Sequence, residues 1–154
     1  MRKPSLLRIQ FIVLAFVAAT ACHVKFVSDY DDKLDSAVTD VHTSISDFLT
    51  RMAEDSGTPA GTYAKNKGFY SETLATLASI RMRAEANNDQ NRNSRTIEQI
   101  QGLEKTIGQL KQVHASNGAA GLSPAFIEPA RSSIDTQCKA ITTFELAKKR
   151  GKEE

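Results

Sequence analysis

The stretch DYDDKLDSAVTDVHTSISDFLTRMAE, residues 29–54, decides the fold. Its apolar positions are Tyr30, Leu34, Ala37, Val41, Ile45, Phe48 and Met52. They recur every ~3.67 residues on average, close to the ~3.6 of a straight α-helix and far from the two-residue alternation of a strand. Ser28 or Asp29 reads as the N-cap. Asp31, Asp32 and Asp35 suit the positive end of the helix dipole, and Gly57 and Pro59 stop the helix. The Asp29-Tyr30-Asp31-Asp32 cluster has a second reading as a calcium loop, but it lacks the glycine and the distal glutamate of a hand-type site, so helix start is the better one.

Three further helical stretches follow. The second spans about 62–87, with Tyr63, Tyr70, Leu74, Leu77 and Arg81 along one stripe and Phe69, Thr73, Ile80 and Ala84 beside it; Gly68 is expected to delay regular helix until Phe69. Residues 87–93 hold no apolar side chain and read as a loop. The third spans about 94–115, with Ile97, Ile100, Leu103, Ile107, Leu110 and His114 as its apolar face. The fourth opens at Ser123-Pro124, a cap with Pro at the first helical position. Pro129 implies either a kink or a short turn before a helix that starts at Glu128 or Pro129. Ile134, Cys138, Ile141 and Phe144 or Glu145 continue its stripe to Arg150.

Four amphipathic helices with short connections predict an all-α, antiparallel up-down four-helix bundle. In that topology the end of the fourth helix lies beside the start of the first. Lys148, Lys149 and Arg150 then approach Asp29, Asp31, Asp32 and Asp35, a register hint worth ~0–1 kcal/mol per exposed pair.

The amino-terminal side has a different character. Arg2, Lys3 and Arg8 precede a run of about 10 apolar residues that ends in small side chains, the pattern of a secretory signal. The run is too short to span a bilayer, which takes about 20 residues. Ala19-Thr20-Ala21-Cys22 resembles the lipobox of bacterial lipoproteins. The resemblance implies cleavage before Cys22, a diacylglyceryl thioether on its sulfur and an acylated amino terminus. Ala19 stands where Leu is usual, so ordinary cleavage after Ala21 is the alternative. His23, in place of the aspartate that holds many enterobacterial lipoproteins at the inner membrane, points to the outer membrane. The expected organisation is signal peptide 1–21, lipidated tether 22–28, bundle 29–150 and charged tail 151–154.

Without Arg2, Lys3 and Arg8 the formal charge of +2 becomes about −1, so the basic balance belongs to the export signal. No ribbon of Lys and Arg interleaved with aromatics marks a nucleic-acid reader. The strings Phe26-Val27-Ser28-Asp29-Tyr30-Asp31, Ile80-Arg81-Met82-Arg83-Ala84-Glu85 and Phe144-Glu145-Leu146-Ala147-Lys148-Lys149-Arg150-Gly151 resemble a group of small helical envelope proteins of Gram-negative bacteria. That likeness implies an all-helical exported domain and brings no catalytic residues with it.

Candidate sites are few. Cys22 is the lipidation site; its competing role, a disulfide with Cys138, asks a tether of at most about 20 Å to reach a mid-helix position roughly 18 Å from the helix end. Cys138 reads as a small buried residue. His23, His42 and His114 do not converge on a metal, since His42 and His114 differ by roughly 10 Å in level. Met52 and His114 are closer in level and are candidate haem ligands, although Met52 also completes the core stripe. Otherwise no cofactor is expected. Lys148, Lys149 and Arg150 are candidate lipid-headgroup contacts, against a simpler role at the negative helix end. No nucleophile–base or acid–base pair occurs at usable spacing, so no enzyme activity is expected. The expected role is a lipid-anchored scaffold, adaptor or envelope-maintenance protein on the periplasmic side with a protein partner. The alternatives are a bundle that binds haem or an apolar molecule, or a regulator of a periplasmic enzyme.

Overall fold

The computed structural model describes residues 28–88 and 92–150. The expected signal segment, Cys22, the tether before residue 28 and the 151–154 tail lie outside the described residues. The described residues form four α-helices: α1 (Asp32–Glu54), α2 (Tyr63–Ala86), α3 (Ser94–Ser116) and α4 (Pro124–Arg150). Short 3-10 turns, Pro59–Gly61 and Gly118–Ala120, interrupt the α1–α2 and α3–α4 connections. Each helix packs on its neighbours in sequence, and α4 closes the ring against α1. Side-chain contacts fix the directions: Phe48 meets Phe69, Arg81 meets Glu104, Thr96 meets Glu145 and His42 meets Asp135. All four neighbouring pairs are therefore antiparallel, as the up-down bundle requires.

The start of α1 differs from expectation. Asp31 is its N-cap, and its carboxylate accepts from the backbone of Lys33 and Leu34. Neither Ser28 nor Asp29 takes that place. Ser28 instead donates to Asn93 across the bundle. The buried face of α1 is also wider than a single stripe. Val38 and Leu49 join Leu34, Val41, Ile45, Phe48 and Met52, because α1 faces both α2 and α4. Burying a Leu, Ile or Phe side chain contributes about 1.5–3 kcal/mol, so the apolar interior dominates stability.

On α2 the buried stripe is Tyr70, Thr73, Leu77, Ile80 and Ala84. Arg81 is not part of it. It lies one residue round from Ile80, about 100° away, and bridges Glu85 at 2.7 Å and Glu104 at 3.2 Å. Helix begins at Tyr63 and runs through Gly68 without delay. Asn66 helps, since its amide donates to the carbonyls of Ala60 and Thr62. The six expected core positions of α3 are all buried, and Thr96 joins them.

Pro129 does not break α4, which is continuous from Pro124. It stands so near the helix start that only the Ala125 carbonyl loses its partner, on an exposed face. The α4 stripe is Ile127, Ile134, Cys138, Ile141, Glu145 and Lys148. The choice between Phe144 and Glu145 thus falls on the charged residue, with a lysine one turn beyond it also inside.

Candidate functional site

Two polar clusters cap the apolar interior, one at each end. At the proximal end, where Ser28 leads into α1, Lys148 is 5% exposed and Glu145 is fully buried. All three Lys148 N–H groups are used. Nζ donates to Glu145 Oε1 at 2.5 Å, to Asn93 Oδ1 at 2.6 Å and to Thr96 Oγ1 at 3.2 Å. Thr96 donates in turn to Glu145 Oε1 at 2.8 Å. Asn93 gives its amide to the Ala84 carbonyl, which ties in the end of α2. Beside it, Arg83 grips both oxygens of Asp31, and Asn87 donates to the same carboxylate. Burial pushes the Asp31 carboxyl up. The hydrogen bonds from Arg83 and the backbone of Leu34 and Lys33, with the Arg83 charge, outweigh burial and hold it below the usual carboxylate range.

The proximal cluster thus takes a member from every helix. Both partners of the ion pair stand on α4, and the hydrogen bonds from Lys148 to Asn93 and Thr96 and from Thr96 to Glu145 carry it across to α3, where buried polar groups favour one relative placement of the two helices. Its clearest physical role is to fix register. Glu145 Oε2 is buried without a hydrogen-bond partner among the described residues, so the satisfaction is not complete.

At the distal end His114 is fully buried. Its Nε2 lies 2.8 Å from the Gly61 carbonyl and its Nδ1 2.8 Å from the Tyr70 hydroxyl. A carbonyl only accepts, so Nε2 carries the proton and Nδ1 accepts from Tyr70. The imidazole is neutral, and it pins the α1–α2 connection to α2 and α3. Haem ligation would need one of these nitrogens, and both are engaged. Met52 is buried in the core.

Burial holds the His114 imidazole below its ordinary range, with the Gly61 carbonyl pulling the other way. The folded value lies below the unfolded one, so the stabilisation is complete above about pH 6.5 and is lost as pH falls through the lowered value. Within that window urea unfolding should weaken by up to ~1.4 kcal/mol per pH unit. His114→Gln should flatten the profile there; an unchanged profile in this variant would show that His114 is not responsible.

Between α1 and α4 lies a hollow of about 200 Å³ lined in part by Val38, His42, Asp135 and Cys138. His42 Nε2 meets Asp135 Oδ1 at 2.7 Å on its rim. Burial, with the Asp135 charge adding, pushes the Cys138 thiol up to about 12, which suits a packing residue and not a nucleophile. Among the described residues no three His, Cys, Asp or Glu side chains gather in a metal-binding group.

Of the basic residues expected at headgroups, Lys149 and Arg150 are exposed, while Lys148 is committed to Glu145. Lys149 lies over the Tyr30 ring at 5.5 Å. The start of α1 and the end of α4 do adjoin, but Asp31 takes its cation from α2 and Lys148 takes its anion from α4. The 134–138–141–145–148 spacing already carried the signal for the buried pair. Charge alone made it look like a solvated end.

No protein-family model matches the chain. No curated protein and no solved structure matches it either. Among the described residues no helix is long and apolar enough to cross a membrane.

Proposed function

We propose that the protein is a lipid-anchored helical bundle of a bacterial envelope, held through Cys22 on the periplasmic side, outer membrane favoured. Its role is that of a non-catalytic scaffold or adaptor. The observation that carries this reading is Ala19-Thr20-Ala21-Cys22 behind a basic start and a short apolar run. Each buried methylene contributes about 0.8 kcal/mol, and a single acyl chain holds only marginally, so anchoring rests on two or more chains at one residue.

The fold supports this reading. Ser28 lies six residues beyond Cys22 and runs into the polar proximal end, where α4 also finishes. A bundle hung from Cys22 would turn that end, with exposed Lys149 and Arg150, toward the bilayer. Register-fixing contacts at both ends suit a rigid spacer that presents its outer faces to a partner.

Cells fed radioactive palmitate should label the wild-type protein and not Cys22→Ser, and the variant should leave the membrane fraction. Equal labelling of the two would overturn the anchor. Capture from detergent-solubilised membranes should then retain a partner that the variant loses.

A further inference from the structure

We infer that the groove between α3 and α4 receives the outer face of α1 from a second copy of this chain, the two bundles parallel and side by side. The groove measures about 480 Å³. Its cations are Arg95 and Lys139, no acid lines it, and Ala140, Thr143 and Ala147 leave it shallow. Arg95 and Lys139 are exposed, and neither forms an ion pair among the described residues.

The complement is on the chain itself. Asp32, Ser36, Asp40 and Thr43 share the outer face of α1 and are all exposed. Asp40 has no ion pair among the described residues, and the Asp32 carboxylate meets the Lys33 backbone. Ser36 between the two acids and Thr43 just beyond Asp40 are small enough to allow close approach to a shallow groove.

Spacing and level agree as well as sign. Thr96–Glu145 and Thr106–Gln137 set the register of α3 on α4. On that register Arg95 lies near the proximal end and Lys139 about 12 Å further along, at ~1.5 Å per residue. Asp32 and Asp40 are separated by the same ~12 Å. His42–Asp135 and the Arg131–Ser46 contact place α1 on the same scale. Two parallel bundles side by side then bring Asp32 to Arg95 and Asp40 to Lys139 with a common offset of about 3 Å, within reach of these side chains.

The outer face of α1 and the α3–α4 groove lie on different sides of the ring. Each copy offers one of each, so the contact is head-to-tail and extends into rows instead of closing a dimer. Exposed pairs contribute little, so association is weak in dilute solution and salt-sensitive. Both faces belong to the folded bundle, and the inference stands apart from the fate of Cys22.

The test is zero-length carbodiimide cross-linking of the full exported chain, mixed from ¹⁴N- and ¹⁵N-labelled preparations at high concentration. A mixed-isotope Asp40–Lys139 peptide is expected, several-fold weaker in high salt, and Lys139→Glu should also lower association measured by sedimentation, a readout that does not depend on the lost amine. Reversing both charges, Lys139→Glu with Asp40→Lys, should restore the association and the mixed product. Circular dichroism checks that each variant remains helical; both positions are exposed, so folding should survive. A chain that stays monomeric throughout, cross-links confined to one copy, or a double reversal that fails to restore the mixed product would overturn the inference.

Discussion

Lys148→Met is expected to cost about 3–5 kcal/mol at neutral pH, a large share of the ~5–15 kcal/mol that holds a domain folded. The lysine lies inside with all three N–H groups engaged, and its removal strands the fully buried Glu145 carboxylate. Thr96 remains to that carboxylate, but a hydroxyl does not replace a cation in a dry interior. Replacing both partners, Glu145→Leu with Lys148→Met, should recover much of the loss, because apolar isosteres of buried ion pairs are often neutral or better. Urea midpoints of the wild type, the single and the double variant read this directly. A single variant within about 0.5 kcal/mol of wild type would show that water reaches the pair in solution.

Gly121→Ala should produce the second large effect. Gly121 has φ +66° and ψ −154°, backbone that side-chain-bearing residues adopt only at a cost of about 1–3 kcal/mol. Strain is only part of it, for an added Cβ would strike the Gly61 carbonyl. That carbonyl is the acceptor for His114 Nε2. The two connections also touch through Gly57, whose amide donates to the Ala120 carbonyl. One methyl group therefore separates both connections and breaks the histidine's hold on them, for a combined loss of about 3 kcal/mol and a fall in Tm on the order of 10 °C. Gly57→Ala is the control: φ is +75° there, but an added Cβ meets nothing within 4 Å. It should lose only the strain. Equal losses in the two variants would show that the close approach to Gly61 does not matter.

The helices were legible in the sequence because apolar periodicity is local and repeated. α3 is the cleanest case, with Ile97 to His114 at core spacing and all six buried. α2 was the poorest, since Ala, Thr and aromatic residues spread round the whole helix and gave two overlapping stripes. Arg81 fell on one of them by spacing and lies on the other side of Ile80 in space. The start of α1 was misplaced because four capping residues stand within Ser28–Asp32, and only Asp31 has Arg83 and Asn87 across from it.

Tertiary partners were hidden for the same reason. Tyr70 and His114 were each visible as core positions, yet nothing local joins residues 44 apart into one hydrogen bond. Glu145 and Lys148 lay at stripe spacing but carried charge, and burying a charge is costly unless a partner waits inside. Thr96 and Asn93 supply the rest of that setting, and neither bears a signal that separates it from ordinary loop or cap chemistry.

The most direct measurement is intact-mass spectrometry of the wild-type chain isolated from host membranes. The expected product begins at Cys22 and carries a diacylglyceryl group and an amino-terminal acyl chain. A mature chain with a bare Cys22 thiol would contradict the anchored bundle.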